Sequence, residues 1–501
     1  MQTIKPITAS DVVYLIMPDR FACSECACSE IDVDRQKESF WHGGNLRGII
    51  EHLDYIANLG VTAIWLTPVM ENLNPVENGV YTSYHGYGIT DYKRVDPHFG
   101  TIEDYIELVN KAHSLGLKVV FDFVLNHCGI GNSWLKENPH WFNKLDSNKT
   151  PRITNSNVST VFGAYSSKYD RESTTKGWFT PFMPDINLRN PEVLSSFKEI
   201  IDWWMDKCTI DAIRVDTYLY ADCMAVMDWQ KYVQNKYPGL SVIAETWGPN
   251  AAYIAEIQKR CNTNDDNRLI VMDFAFQKAI GKAFSPQKNL EQQRALYDHF
   301  INDFLYDDAS HSLAFLDNHD LARWFYHHKN ISQAKQAMGI LLTIPRIPQI
   351  LYGTEILLEG DGKGENDGNW RCDFPGGWND DAINMFTPAG RQTTRKIADF
   401  WQFTQKLLKW RKISKAISEG SMTQFLPQNG VYVYARYTES DKVAILVNLS
   451  GANQEIDINR YREIIPETFV GRDLVTDKEL TFNSNKFRIK KNAIIIAEAY
   501  V

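Results

Sequence analysis

Short apolar runs alternate with stretches of helical periodicity through most of the 501-residue chain. Continuous apolar runs rich in Val, Ile, Leu and Phe are typical of strands that are buried on both faces. The sequence predicts such strands at residues 12–17, 61–69, 118–126, 210–216, 241–244, 268–274, 311–316 and 347–352. A helix or a helix-length segment separates most of them, which is the pattern of a parallel sheet built from strand–helix units.

The helical stretches have clear boundary signals. The segment 46–59 repeats its apolar residues at helical spacing and stops at Gly60. Asn190 and Pro191 supply an N-cap and a first-turn proline for a helix that runs to Lys207. Further helices are predicted at 105–115, 224–235 and 291–305. Eight strand–helix units favour a closed (β/α)8 TIM barrel, and a doubly wound open sheet is the alternative.

Two segments depart from this alternation. Residues 128–184 are rich in Asn, Ser, Thr, Pro and aromatics without sustained periodicity, and a small inserted subdomain explains them better than one long loop. After residue 413, short strand-like runs are separated by turns, which predicts an antiparallel β-sandwich. We therefore assign 1–127 and 185–412 to the barrel, 128–184 to an inserted B domain and 413–501 to a C-terminal domain.

The bulk composition limits the classes of partner. The formal net charge of -9 argues against nucleic acid and against acidic membrane surfaces. No run approaches the length of a membrane span, and the N-terminus lacks a signal-peptide pattern. The cytoplasm is thus the expected compartment, with the periplasm or the exterior as the alternative if this sequence is part of a longer chain. The scattered cysteines are expected to be thiols: Cys128, Cys208, Cys223, Cys261 and Cys372.

Polar and charged residues follow several of the predicted strands. In a barrel of parallel strands, the carboxyl ends of the strands form the active-site rim. Three carboxylates from different strands, Asp216, Glu245 and Asp320, follow strand ends. Other charged and polar strand-end residues accompany them: Asp122, His127, Arg214 and His319. Each one alone is explained as a helix cap or a satisfied core residue. Their convergence on one rim indicates a catalytic site.

Paired carboxylates are what the cleavage of a glycosidic bond requires. Arg214 lies two residues from Asp216 on the same strand face and favours its charged form, which suits a nucleophile. Glu245 has no adjacent cation in the sequence, so a raised pKa and a role as general acid are expected. Metal-dependent hydrolysis is the alternative, but closely spaced His pairs at a strand end are lacking.

Several motifs, in this order along the chain, resemble those of the α-amylase family of glycoside hydrolases. They are Y-H-G-Y at 84–87, D-F-V-L-N-H at 122–127, D-A-I-R-V-D at 211–216, A-E-T-W at 244–247 and L-D-N-H-D at 316–320. The resemblance implies a retaining mechanism with Asp216 as nucleophile, Glu245 as acid/base and Asp320 as transition-state stabiliser. It also implies a set of substrate-binding residues: Tyr87, Asp122, His127, Arg214, Trp247, His319 and Arg323.

Within that family, P-D-R-F at 18–21, R-V-D-T-Y at 214–218 and M-P-D-I-N at 183–187 are similar to the neopullulanase and cyclomaltodextrinase branch. That branch carries an additional N-terminal domain that helps it dimerise, and this chain begins almost at the first barrel strand, so a monomer is expected. The segment that holds calcium in relatives reads A-C-S-E-C-A-C-S-E-I-D-V-D here. Calcium prefers several oxygen ligands, so no required cofactor is expected, with a structural calcium ion as the alternative.

The sequence therefore predicts an α-glucan hydrolase acting on maltooligosaccharides, cyclodextrins, pullulan or starch, on α-1,4 and possible α-1,6 bonds. A 4-α-glucanotransferase that uses the same covalent intermediate is the second interpretation, because residues at the cleaved bond do not decide between water and a sugar acceptor. A noncatalytic glucan-binding protein is the third. The cluster Cys23, Cys26 and Cys28 has three thiols where a zinc site needs four ligands, so we predict no metal there.

Overall fold

The structure is a computed structural model that describes residues 3–24, 32–72, 82–143, 152–248, 250–262, 268–287, 289–360, 362 and 367–500. Its centre is a closed barrel of eight parallel strands in the order β1-β10-β9-β8-β7-β6-β5-β2. The strands up to the end of the barrel are β1 (Val13–Ile16), β2 (Ala63–Leu66), β3 (Met70–Glu71), β4 (Asp91–Val95), β5 (Lys118–Phe123), β6 (Ala212–Val215), β7 (Ser241–Ala244), β8 (Ile270–Met272), β9 (Ser312–Phe315) and β10 (Ile347–Leu351).

Helices surround the barrel and connect its strands. They are α1 (Pro18–Phe21), α2 (Leu46–Leu59), α3 (Ile102–Ser114), α4 (Trp134–Glu137), α5 (Ser159–Phe162), α6 (Lys168–Thr175), α7 (Pro191–Lys207), α8 (Cys223–Lys236), α9 (Ala251–Cys261), α10 (Phe274–Ala283), α11 (Leu290–Phe300), α12 (Trp324–His327), α13 (Ile331–Leu341), α14 (Asp367–Trp370), α15 (Pro388–Arg391), α16 (Arg395–Arg411) and α17 (Lys415–Ser418). None of the helices in the described part of the chain has the length and apolarity needed to cross a bilayer.

The boundary signals explain where the predicted helices begin and end. Asn45 accepts a hydrogen bond from the backbone N–H of Gly48 and caps α2. Gly60 ends that helix with a φ of 108°, a left-handed conformation that costs glycine little. Asn190 caps α7 in the same way through the N–H of Glu192. The barrel and its eight strands are therefore confirmed, with strand ends one to three residues shorter than predicted in most cases.

The barrel interior is apolar, and the register of its strands places the charged residues at one end. Every residue of β6 and β7 is buried. Asp122 of β5 lies directly opposite Arg214 of β6, and Val215 lies opposite Ala244 of β7. Asp216 and Glu245 each follow the last residue of their strand, so both side chains emerge at the carboxyl end of the barrel, where the two strands lie side by side.

In the described part of the segment between β5 and α7, the elements are the short helices α4 to α6 and isolated bridges. Two antiparallel bridges, His127 with Asp185 and Phe142 with Ile186, join its beginning to its end next to the barrel rim. The segment therefore closes on itself above the third barrel strand, and it places aromatic residues beside the strand ends. Residues 144–151, which belong to the predicted B domain, lie outside the described residues.

The C-terminal region is antiparallel, as predicted. Its strands are β11 (Ser421–Gln428), β12 (Val431–Tyr437), β13 (Lys442–Asn448), β14 (Gln454–Asp457), β15 (Val470–Asp473), β16 (Lys478–Thr481), β17 (Lys486–Ile489) and β18 (Ile494–Ala499). Six form one sheet in the order β11-β12-β13-β18-β15-β16, and β14 pairs with β17 in a second sheet. A separate apolar core that includes Val433, Leu446, Ile456 and Ile489 lies between the two sheets.

The cysteine prediction is confirmed for the scattered residues, none of which is in a disulfide bond: Cys128, Cys208, Cys223, Cys261 and Cys372. Cys23 takes part in a disulfide bond. Cys26 and Cys28, the other members of the predicted cluster, lie outside the described residues.

Candidate active site

A cleft of about 490 Å³ opens at the carboxyl end of the barrel. The strand ends supply its floor, and the inserted segment supplies Phe179 and Met183 to one wall. Seven of the ten predicted site residues line it, among them all three carboxylates: Tyr87, His127, Asp216, Glu245, Trp247, His319 and Asp320. Asp122 and Arg214 lie directly beneath these residues, and Arg323 lies elsewhere.

Arg214 connects the carboxyl groups at the floor of the cleft. Its Nη1 lies 2.7 Å from Oδ1 of Asp216 and 2.9 Å from Oδ1 of Asp122. Its Nη2 lies 2.9 Å from Oε1 of Glu245. The guanidinium is fully buried, and its rigid planar geometry fixes the two carboxyl groups that face the cleft relative to each other.

The contact between Arg214 and Glu245 corrects one premise of the sequence interpretation, which placed no cation beside Glu245. Burial nevertheless raises the pKa of Glu245 to about 8, with the charges of Asp216 and Asp320 acting in the same direction and Arg214 opposing them. A carboxyl group with that pKa is mostly protonated at neutral pH, as a general acid must be.

The backbone after Asp216 is strained in a way that serves Glu245. Thr217 has a φ of 45°, a left-handed conformation that β-branched residues rarely adopt. In that conformation its N–H donates to Oε2 of Glu245 at 2.6 Å. The indole N–H of Trp247 donates to Oε1 at 3.1 Å. These donors hold both oxygens of Glu245 in one orientation at the cleft.

Asp122 is the anchor below the cleft. Its Oδ2 accepts hydrogen bonds from the indole of Trp65 and from the hydroxyl of Tyr87, each at 2.9 Å. Burial raises its pKa to about 6, and Asp216 adds to this while Arg214 opposes it. Asp122 does not line the cleft itself. Its contacts instead orient Arg214 and Tyr87.

Asp320 lines the same cleft and comes from the segment after β9. His319 Nε2 lies 3.2 Å from its Oδ2, and Arg371 Nη2 lies 3.0 Å from its Oδ1. Burial opposes ionisation, but His319 and Arg371 together lower the pKa of Asp320. His319 and Arg371 thus hold the ionised carboxylate of Asp320 at the wall, where it remains in reach of a ligand in the cleft.

The histidines of the cleft are neutral and partly available for ligand contacts. Burial lowers the pKa of His319 to about 4 and also lowers that of His127. The ring of His319 stacks on Tyr87 with centroids 5.4 Å apart, and its Nδ1 has no hydrogen-bond partner within the described ranges. His127 Nε2 lies 3.9 Å from Asp216 Oδ2, which is beyond hydrogen-bond distance. Both rings present nitrogen atoms suited to sugar hydroxyls.

Arg323 is not among the residues that line this cleft, and its role in substrate binding stays a prediction. Its side chain is fully buried and donates to the backbone carbonyls of Trp370 and Tyr352. The chain turns after Asp320, so that Arg323 points below the rim. It supports the segment that carries Arg371.

The sequence interpretation missed several residues that line the cleft: His85, Phe179, Met183, Tyr220, Asp367 and Arg371. Three of them had a signal, because His85 lies inside Y-H-G-Y, Met183 opens M-P-D-I-N and Tyr220 follows R-V-D-T-Y. Arg371 and Asp367 come from a loop after the last barrel strand, and Phe179 and Met183 come from the inserted segment. Only the folded arrangement brings these four to the rim.

The segment 22–34, which the resemblance connects with calcium, includes residues 25–31, and these lie outside the described residues. Asp185, whose side chain is hydrogen-bonded to Asn126, is a second carboxyl group near the barrel rim that could face a calcium ion. The carboxyl group of Asp185 accepts a hydrogen bond from the side-chain amide of Asn143 at 2.5 Å. No group of three or more His, Cys, Asp or Glu side chains suited to a metal ion occurs in the described ranges. One carboxyl group already bonded to an amide is a poor match to the several oxygen ligands that calcium prefers.

The geometry defines a class of protein: a barrel enzyme with two carboxyl groups on one guanidinium and a third in the same cleft, as glycosidic bond cleavage requires. Residues 15–382 match the family model described as the catalytic domain of α-amylase. Residues 422–498 match the C-terminal domain of cyclo-maltodextrinase. The chain therefore belongs to the α-amylase family, and it is a glycoside hydrolase. The predicted resemblance is confirmed.

Individual relatives agree with this assignment. The chain is 29% identical over 485 residues to an α-amylase of Dictyoglomus thermophilum, covering 90% of this chain and 87% of that protein. It is 25% identical over 522 residues to a cyclomaltodextrin glucanotransferase of a Bacillus species, covering 97% of this chain but 67% of the relative. The solved structure of an α-amylase from Geobacillus thermoleovorans in complex with acarbose is 25% identical, covers 100% of both chains and has a TM-score of 0.79.

Proposed function

We propose that this protein is a retaining α-glucan hydrolase that cleaves α-1,4 glucosidic bonds in maltooligosaccharides and cyclodextrins, and related bonds in pullulan or starch. The observation that carries the proposal is the placement of Asp216 and Glu245 on the two terminal nitrogens of Arg214, with Asp320 in the same cleft. α-Amylases and cyclomaltodextrin glucanotransferases among the relatives support an α-glucan as substrate.

In the first step, Asp216 attacks the anomeric carbon while Glu245 donates its proton to the departing glycosidic oxygen. The bond between the sugar and its leaving group breaks, and an ester between the sugar and Asp216 forms. In the second step, Glu245 accepts a proton from water, which attacks the same carbon and releases Asp216. Asp320, whose pKa is lowered by His319 and Arg371 against burial, places negative charge beside the sugar as positive charge develops on its ring.

Transfer to a second sugar is the alternative that a specific observation favours. The indole of Trp247 is 37% exposed, stacks on Phe274 at 4.4 Å and is hydrogen-bonded to Glu245. An exposed aromatic surface next to the acid/base offers a stacking site for an acceptor sugar. The same covalent intermediate would then give a 4-α-glucanotransferase. A noncatalytic glucan-binding role has less support, because all three carboxyl groups converge.

A time course on maltoheptaose tests these proposals. Hydrolysis releases shorter oligosaccharides with a steady rise in reducing ends, whereas transfer produces longer or cyclic products with little change in reducing ends. A Glu245→Gln variant measured in parallel reports whether the cleft is responsible. Absence of turnover by the unmodified protein on maltoheptaose, cyclodextrins and pullulan would contradict the proposed function.

We also propose that the enzyme is a monomer, acts in the cytoplasm and needs no metal ion for turnover. The poor match of Asp185 to a calcium ligand set supports the last point. Sedimentation velocity at micromolar concentration tests the assembly state, and fractionation of the source cells tests the compartment.

A further inference from the structure

Two thiols approach each other behind the wall of the cleft. Cys223 is the first residue of α8, and Cys261 is the last residue of α9. Their Sγ atoms lie 3.3 Å apart, and neither cysteine is in a disulfide bond. A disulfide bond measures about 2.05 Å, so an approach of about 1.3 Å would join the two sulfur atoms.

The two thiols differ in exposure and in charge environment. Cys223 is partly exposed and Cys261 is buried. A cavity of about 220 Å³ opens beside Cys223 and is also lined by Arg171 and Arg260, which gives a small anionic oxidant a path to the sulfur. The hydrogen bond from Cys261, together with Arg260, lowers the pKa of the Cys223 thiol against the effect of burial. The same hydrogen bond, followed by burial, raises the pKa of the Cys261 thiol.

We propose that Cys223 and Cys261 form a reversible disulfide bond that couples the redox state of the surroundings to the wall of the cleft. The oxidant is a low-molecular-weight disulfide such as oxidised glutathione. The thiolate of Cys223 attacks one of its sulfurs and releases one thiolate. Cys261 then attacks Sγ of Cys223, passes its proton to the departing thiolate and completes the bond. Two protein thiols are oxidised and one small disulfide is reduced to two thiols.

Contacts of the described residues connect this pair to the cleft. Cys223 is three residues after Tyr220, which lines the cleft. The hydroxyl of Tyr218 donates to Gln230 at 2.9 Å, and Gln230 Nε2 donates to the carbonyl of Cys261 at 3.1 Å. A disulfide bond that draws α8 and α9 together would therefore displace the segment 217–222. The first residue of this segment, Thr217, orients Glu245 through its backbone N–H.

Formation of the disulfide bond between Cys223 and Cys261 does not depend on the proposed function. The effect of this bond on turnover does rest on that function. A displacement of about 1 Å at an active-site wall is large enough to change turnover, so we expect kcat/KM on maltoheptaose to change by at least about two-fold on oxidation. The change should be reversed by a dithiol reductant.

The test uses the full chain, first reduced and then incubated with oxidised glutathione at about pH 8. Peptide mapping should find a peptide that links Cys223 to Cys261, with the mass about 2 Da lower than that of the two reduced peptides. Cys223→Ser and Cys261→Ser should each lose both the link and the oxidative change in kcat/KM. Cys208→Ser is the matched control and should retain both, since Cys208 is partly exposed and its thiol donates to the carbonyl of Trp204.

Each remaining outcome is decisive. If glutathione remains attached to Cys223 without a link to Cys261, the disulfide is contradicted. If the link forms and kcat/KM is unchanged, the coupling to the cleft is contradicted. If neither redox form turns over any α-glucan while the link forms, the proposed function fails and the disulfide stands.

Discussion

The side chain of Glu245 offers a sharp test of the chemistry, because its burial sets the pH at which the enzyme should lose activity. The pKa is raised from 4.5 to about 8. The protonated fraction is then about nine tenths at pH 7, about half at pH 8 and about one hundredth at pH 10. If Glu245 is the general acid, kcat/KM on maltoheptaose should fall along an alkaline limb centred near pH 8, about ten-fold for each further pH unit.

Replacement of Glu245 by Gln removes the proton donor while preserving size. We expect kcat/KM on maltoheptaose to fall by about 10²–10⁴-fold, the usual contribution of a positioned acid. An aryl maltotrioside with a good leaving group needs less protonation, so the loss on it should be smaller. Azide needs no general base, and it should rescue the variant on the aryl substrate and give a glycosyl azide of retained configuration.

Glu355 provides the matched control. It is also a buried glutamate near the end of a barrel strand, and its Oε1 accepts hydrogen bonds from Tyr14 and Tyr55 outside the cleft lining. Burial raises its pKa as well. Glu355→Gln should keep kcat/KM within about three-fold and preserve the alkaline limb, since its amide still meets the two hydroxyls. The account is refuted if Glu245→Gln keeps the alkaline limb, or if azide has no effect on it.

Three further predictions concern the surroundings of the reacting groups. Arg214→Met leaves the buried Asp122, Asp216 and Glu245 without their shared cation, so the free energy of unfolding from urea titrations should fall by about 3–5 kcal/mol. The loss should be greater at pH 8 than at pH 5, because removal of the cation raises the folded-state pKa values of Asp122 and Glu245, which Arg214 lowers against burial and charge repulsion. Groups with a raised folded-state pKa cost stability as the pH rises, since the unfolded chain ionises them first, and an equal loss at both pH values would contradict the pairing. His127→Ala should lower kcat/KM on maltoheptaose by about 10–100-fold, which corresponds to the loss of one or two hydrogen bonds to a sugar. The thermal midpoint should stay unchanged. A large fall in that midpoint would assign the ring a structural role instead. Removal of divalent ions with a chelator should change neither kcat nor the thermal midpoint, because Asp185 is bonded to Asn143 and the described part of the chain holds no group of three or more His, Cys, Asp or Glu side chains suited to a metal ion. Restoration of lost activity by added calcium would overturn this.

The sequence was most informative where local pattern and global fold are linked by a simple rule. Parallel strands of a barrel end at one rim, so residues that follow different strands meet there, and Asp216, Glu245 and Asp320 do so. The helix bounds followed from signals such as Gly60 at the end of α2 and Asn190 at the start of α7, whose side chain bonds the first turn. Both inferences need only short-range pattern and the closure of the barrel.

Other features depend on packing between segments that are distant in the chain. Arg371 reaches Asp320 across 51 positions, and Arg214 reaches Glu245 from a neighbouring strand, although Glu245 has no cation beside it in the sequence. Arg323 is close to Asp320 in sequence, but the turn after β9 directs it to backbone carbonyls below the rim. The approach of Cys223 to Cys261 likewise arises from the packing of two helices. Periodicity carries no information about such pairs.

The central claim is that Asp216 forms a covalent bond to the sugar. A 5-fluoro-α-glycosyl fluoride forms the intermediate with its good leaving group but slows its breakdown, so the intermediate accumulates. Peptide mapping by mass spectrometry should then find the sugar on Asp216, with no label in an Asp216→Asn variant, and NMR should show the α-anomer as the first product of maltooligosaccharide hydrolysis. A label on another residue, or a β-anomer as the first product, would contradict the account.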